Sequence, residues 1–174
     1  MTPTLNLFDT VRREILAGRP HGTADRTKIE KAARAVAQDG RLTIDFTGVQ
    51  VLSSSYFDAA LWPLWMSENF FPVLSKVPST AVDDIEIVLK ANGGALWCFA
   101  KGEPRILGML DPTLMRTVEE VVKRGEVVAG DLVSIDHKIG ATAWSNRLAA
   151  LYSLRLVRRK KDGRRMNYVA AWKE

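Results

Sequence analysis

Reactive side chains are scarce in this sequence. Of its 174 residues one is cysteine and two are histidine. That excludes an intrachain disulfide, and His21 and His137 stand too far apart to suggest a metal set. Cys98, between Trp97 and Phe99, reads as a small core residue in a reducing compartment. The patterns G-x-G-x-x-G, G-x-x-x-x-G-K-[ST] and G-x-S-x-G do not occur, so the commonest nucleotide and hydrolase motifs are missing. No catalytic residue, cofactor or metal is expected, and the chain is read as a non-enzyme. Long apolar runs are missing as well. The stretch from Ala59 to Met66 is far short of the ~20 residues that span a bilayer, and Asn6, Asp9, Arg12 and Arg13 interrupt any secretory segment. A cytoplasmic protein without membrane contact is expected.

What is present is an ordinary globular composition, 47% apolar and 26% charged, with the charge unevenly placed. Residues 1–110 balance 12 basic against 12 acidic side chains, whereas residues 111–174 hold 13 basic and 8 acidic, the whole of the +5 excess. Arg155, Arg158, Arg159, Lys160, Lys161, Arg164 and Arg165 are opposed only by Asp162. Such a cluster suits either a solvated face or a polyanionic partner, and the pattern around it favours the polyanion.

In the C-terminal third, Leu114, Val118, Val121 and Val122 mark a helix over 113–123, stopped by Gly125. A second helix is expected over 129–135 and a third from Thr142 as N-cap, with Ala141, Trp144, Leu148 and Leu151 as its buried face. Its other face offers Thr142, Ser145, Asn146 and Arg147. Residues 156–160 and 166–172 read as two strands joined by a turn at Lys161-Asp162-Gly163-Arg164. Residues 141–151, together with Leu154-Arg155-Leu156-Val157-Arg158-Arg159 and Gly163-Arg164-Arg165, resemble a bacterial winged helix-turn-helix over roughly 112–172, with Arg155 where such families often have glycine. A helix fits the major groove and a cationic hairpin can follow phosphates. The expected interface with double-stranded DNA is Thr142, Ser145 and Asn146 at base edges, with Arg147, Arg159, Lys160, Lys161, Arg164 and Arg165 on phosphates. Asn146 suits a bidentate contact to adenine, and Arg147 suits either guanine or phosphate, phosphate being the commoner contact.

The first 110 residues alternate helical and strand patterns. Phe8, Val11 and Ile15 suggest an amphipathic helix over 4–17, and Ile29, Ala33 and Val36 a second over 24–38. Leu42, Ile44 and Phe46 mark a strand. Ser53-Ser54-Ser55 leads into a helix over 56–65. A strand at 71–77 and a helix capped by Ser79 or Thr80, with Asp83 in a capping box, come next, then a hairpin around Gly102-Glu103-Pro104. The pattern is that of an α/β layer structure. Residues 43–61, from Thr43-Ile44-Asp45 through Ser53-Ser54-Ser55-Tyr56 to Leu61, resemble the central motif of STAS-like domains, the fold of bacterial anti-sigma factor antagonists, over roughly 22–92. The resemblance implies a protein partner, with a kinase among the candidates, and by position it makes Ser54 a candidate phosphorylation site. This chain has Ser53 and Tyr56 where the antagonists carry Asp and Gly. A serine there also serves simply as a helix cap.

The expected architecture is therefore α/β plus α+β: a STAS-like domain over 1–110 and a winged helix-turn-helix over 111–174. The expected function is a bacterial or phage transcriptional regulator that binds DNA and receives a partner or phosphorylation signal, with a homodimer compatible. The alternative is a signalling or defence-system adaptor whose two modules both bind proteins.

Overall fold

The computed structural model describes residues 3–174. The chain is a mixed α/β protein that divides into two compact units, one running to Met109 and including Glu174, the other Leu110–Lys173.

In the first unit a five-stranded mixed sheet has the order β1-β3-β5-β6-β7. Its strands are β1 (Thr4–Asn6), β3 (Arg41–Asp45), β5 (Phe71–Ser75), β6 (Ala95–Ala100) and β7 (Glu103–Gly108). The first four run parallel and β7 is antiparallel to β6. Parallel neighbours need crossovers. Helix α2 (Arg19–Val36) follows β1, a helix over 54–66 follows β3, and α5 (Val82–Asn92) follows β5. Leu42 and Ile44 of β3, Leu74 of β5, and Leu96 and Cys98 of β6 join Ile29, Ala33, Leu61, Ile85 and Leu89 in one buried cluster.

The helix over 54–66 is built in three runs, α3 (Ser54–Tyr56), a π-helical Phe57–Leu61, and α4 (Trp62–Met66). The wide turn immediately precedes Pro63, whose ring and missing N–H would disrupt an α-helical bond to Ala59. Gly22 of α2 lies against this segment so closely that a Cβ would stand 3.0 Å from both the Ala59 Cβ and the Tyr56 carbonyl oxygen. A larger residue at 22 would push the two helices apart by a few tenths of an ångström.

Several expectations fail locally. Residues 4–17 are not one helix but β1, a short α1 (Leu7–Val11) and β2 (Ile15–Leu16), which pairs in parallel with β4 (Val51–Leu52). Pairing of Leu5 with Ile44 outweighs the helical spacing, the Asn6 side chain caps α1 by accepting from the Asp9 N–H, and Arg12 stops it with a φ of 59°. Ile15, expected inward, is 61% exposed. Helix α2 begins at Arg19 rather than 24, with Pro20 in its first turn, where a missing N–H costs nothing. Before α5 a 3₁₀ turn, Ser79–Ala81, replaces the expected serine or threonine cap, and no capping box forms at Asp83. The β6–β7 turn is Lys101-Gly102, so Glu103 and Pro104 belong to β7. That strand is an edge, where proline is tolerated.

The second unit contains α6 (Pro112–Arg124), β8 (Glu126–Val127), α7 (Ala129–Leu132), α8 (Ala141–Ser153), β9 (Val157–Asp162) and β10 (Arg165–Ala170). Asp111 caps α6 by accepting from the Thr113 N–H at 2.8 Å. Val118, Val121, Leu132, Trp144, Leu148, Leu151, Val157 and Tyr168 are buried. Strand β10 lies between β8 and β9, antiparallel to both. The expected helix over 129–135 is one α-helical turn followed by turns through Ile135. Helix α8 is capped by Gly140, so Thr142 lies inside it, and Ala141 is exposed rather than buried.

Candidate nucleic-acid interface

The sequence of α8 divides it into two sides. Trp144, Leu148 and Leu151 point inward at 0% exposure, and Thr142, Ser145 and Asn146 are exposed on the other side. All three residues expected at base edges therefore face solvent near the helix N-terminus. Arg147 is half-buried and differently employed: its guanidinium lies over the Trp144 ring, 4.9 Å from the centroid. A cation there is attracted by the ring quadrupole. The same charge acts on Asp111, whose carboxyl is held below the usual carboxylate range by hydrogen bonds from the Thr113 side chain and backbone, with Arg147 adding to the effect.

The hairpin of β9 and β10 turns at Gly163-Arg164, and Gly163 has a φ of 57°. A positive φ at the first turn position is what a two-residue hairpin with right-twisted strands requires. Across an antiparallel pair, directly opposed residues share a face. Arg159 opposes Tyr168 and Lys161 opposes Met166, whereas Lys160 opposes Asn167 and Arg165 opposes Asp162. The sequence pattern leads one to expect these cations grouped on a single exposed surface; the pleat instead divides them between two faces, because neighbouring residues of a strand point to opposite sides. Residues 159–165 are all exposed, so both faces of this two-strand ribbon are open at its outer end.

The seven basic residues are not equivalent. Arg155 is buried at 7% exposure with a φ of 62°. Arg158 donates from Nε to the Ala171 carbonyl at 3.3 Å and from Nη2 to the Lys173 carbonyl, pinning the C-terminal segment to β9. Arg159 lies over the Tyr152 ring of α8 at 4.0 Å, tying hairpin to helix. Among the described residues none of Arg159, Lys160, Lys161, Arg164 and Arg165 forms an ion pair. The exposed pair His137 and Lys138, just before Gly140, adds two further donors that the sequence pattern presented only as a turn.

The serine turn of the first unit forms a separate polar cluster. Ser53, not Ser54, is the cap: its Oγ accepts from the Tyr56 N–H at 3.2 Å and the Gly18 N–H at 3.1 Å, and it shares a hydrogen bond with the Ser55 hydroxyl. The Ser54 N–H donates to Asp84 Oδ1 at 2.9 Å, so a carboxylate already holds the position where a phosphate on Ser54 would find its nearest backbone donor. Tyr56, fully buried, donates to Asp25 at 2.6 Å, and Asp25 also pairs with Arg13. Burial raises the Tyr56 phenol well above its usual value, and the Asp25 carboxylate raises it further. Asp45 and Asp58 are engaged apart, with Lys76 at 3.2 Å and Arg19 at 2.6 Å.

Among the described residues no group of three or more His, Cys, Asp or Glu side chains is placed to hold a metal, and no helix is long and apolar enough to cross a membrane. Comparisons with protein-family models, curated proteins and solved structures find no match to this chain.

Proposed function

We propose that this protein is a DNA-binding transcriptional regulator in which residues 110–173 act as a winged helix-turn-helix and residues 3–109 as a STAS-like sensor. The observation that carries the reading is the pairing, within one unit, of an exposed polar face on α8 with an exposed hairpin end whose five cations form no ion pair among the described residues. A helix of this width fits the major groove of a duplex, and exposed guanidinium and ammonium groups in the same unit are suited to flanking phosphates. In this reading Thr142, Ser145 and Asn146 approach base edges. Arg159, Lys160, Lys161, Arg164 and Arg165 neutralise phosphates, and Arg147 serves chiefly to brace the helix.

For the first unit, the parallel β1-β3-β5-β6 order and the serine turn at the start of α3 support the STAS-like reading. We assign its signal to a protein partner before a phosphate on Ser54, because Asp84 occupies the Ser54 N–H. Ile15 and Val51, direct register partners on β2 and β4, are 61% and 44% exposed near that turn. An exposed apolar pair on a strand edge suits a protein contact. The site of action of such a regulator is the cytoplasm.

The test is a mobility shift with the full chain and a mixed-sequence duplex at two salt concentrations. Binding at low salt that weakens steeply at high salt is expected. Absence of a shift at low salt would reject the regulator and leave the adaptor.

A further inference from the structure

The solvent-facing ridge of α8 carries no charge. At 3.6 residues per turn, turning Trp144, Leu148 and Leu151 inward places Thr142, Asn146, Ala149 and Ser153 on the opposite side, and all four are exposed. Ser145 and Ala143, also exposed, flank them. The one basic residue of the helix, Arg147, stands off this ridge with its guanidinium over Trp144. The ridge thus presents one side-chain amide, hydroxyls and methyl groups.

Base chemistry gives that inventory a direction. Guanine shows two acceptors in the major groove, and the group that most often meets them is a bidentate arginine or lysine, which the ridge lacks. Adenine shows an acceptor beside a donor, the complement of a side-chain amide, and thymine adds a methyl group that apolar or threonine methyls contact. Asn146 and Ala149 are about 4.5 Å apart along the axis, close to one base step, and Thr142 to Ala149 covers about 10 Å, some three steps. Resting on the duplex-binding reading above, we propose that α8 selects A·T pairs in the major groove, Asn146 taking adenine and the methyls of Thr142 and Ala149 meeting thymine methyls. The hairpin supplies affinity without sequence.

The experiment is a competition measured by fluorescence anisotropy, with the full chain on a labelled mixed-sequence duplex. The competitors are alternating poly(dA-dT), poly(dA-dU), poly(dI-dC) and poly(dG-dC) of one length. Poly(dI-dC) keeps the minor-groove pattern of A·T but the major-groove pattern of G·C, and poly(dA-dU) removes only the thymine methyl. Poly(dA-dT) is expected to compete at least about twenty-fold better than poly(dI-dC), about five-fold from the lower end of what one bidentate base contact discriminates and about four-fold from the thymine methyl that poly(dI-dC) also lacks. It is expected to outcompete poly(dA-dU) by about four-fold, the worth of one buried methyl. Asn146→Ala, at an exposed position, is expected to bring the first ratio down to about four-fold, the share of the thymine methyl, while Arg164→Ala on the hairpin weakens binding to every duplex and leaves the ratio unchanged. Equal competition by poly(dA-dT) and poly(dI-dC) overturns the proposal, and if both also exceed poly(dG-dC) the preference is read in the minor groove instead. Equality of poly(dA-dT) and poly(dA-dU), or an undiminished first ratio in Asn146→Ala, overturns it equally. No tracer binding at low salt overturns the duplex-binding reading itself.

Discussion

Removing the Arg164 side chain takes one cation from the exposed turn of the hairpin and disturbs nothing packed, since residues 163–165 are exposed. If each of Arg159, Lys160, Lys161, Arg164 and Arg165 neutralises one phosphate, the log–log dependence of affinity on salt has a slope of about −4.5, a loss of about 500-fold between 50 and 200 mM. Arg164→Ala should bring the slope to about −3.6 and the loss to about 150-fold. The control is Arg158→Ala. Arg158 belongs to the same basic run but donates to the carbonyls of Ala171 and Lys173, so its removal should lower stability and leave the slope where it was. Anisotropy titrations of a labelled duplex across a salt series measure both. An unchanged slope in Arg164→Ala, or an equal change in Arg158→Ala, would refute the assignment of these two side chains.

Three further outcomes follow from the first unit. Ser53→Ala should cost about 1–2 kcal/mol in urea unfolding, because Ser53 Oγ accepts from two backbone N–H groups; Ser54→Ala should be within about 0.5 kcal/mol of the parent, and Ser54→Asp should be less stable than Ser54→Ala because it sets a second carboxylate beside Asp84. The Cys98 thiol, 2% exposed and pushed up by burial against a smaller opposing effect of Arg105, should react with a disulfide reagent at mildly alkaline pH only after denaturant is added; prompt reaction in the native protein would contradict its placement. Burial raises the Asp45 carboxyl, but hydrogen bonds from Thr47 and the Lys76 partner outweigh it, and the group is held below 3.8. Its contribution is therefore present above that value and lost as pH falls through the lower folded value, so acid melts of Asp45→Asn should show a shallower loss of stability there than the parent.

Much of the local structure was legible because the relevant forces are local. Helix α6 could be placed to within a residue at each end from one apolar stripe, an Asp-Pro start and a glycine stop. The β6–β7 and β9–β10 hairpins showed through alternation and glycine, although the first turn was placed one residue too late. Residues 4–17 misled because Phe8, Val11 and Ile15 do recur at helical spacing, and nothing nearby in sequence announces that Leu5 finds Ile44 or that Ile15 finds Val51. The sequence pattern leaves open which serine of that turn caps the helix. Which of three consecutive serines caps a helix depends on the Gly18 N–H, 35 residues away in sequence.

By itself the sequence determined the charge asymmetry, the helix and hairpin that carry it, and which side of α8 turns inward, because periodicity and composition are properties of neighbouring residues. Tertiary structure alone decided what each cation does. Arg155 is buried, Arg158 holds the C-terminal carbonyls, Arg147 and Arg159 lie over Trp144 and Tyr152, and the pleat sends Lys160 and Lys161 to opposite faces. Seven basic residues within eleven positions look equivalent until the chain folds. They are then separated by strand register and by the distance from each guanidinium to the nearest carbonyl or ring.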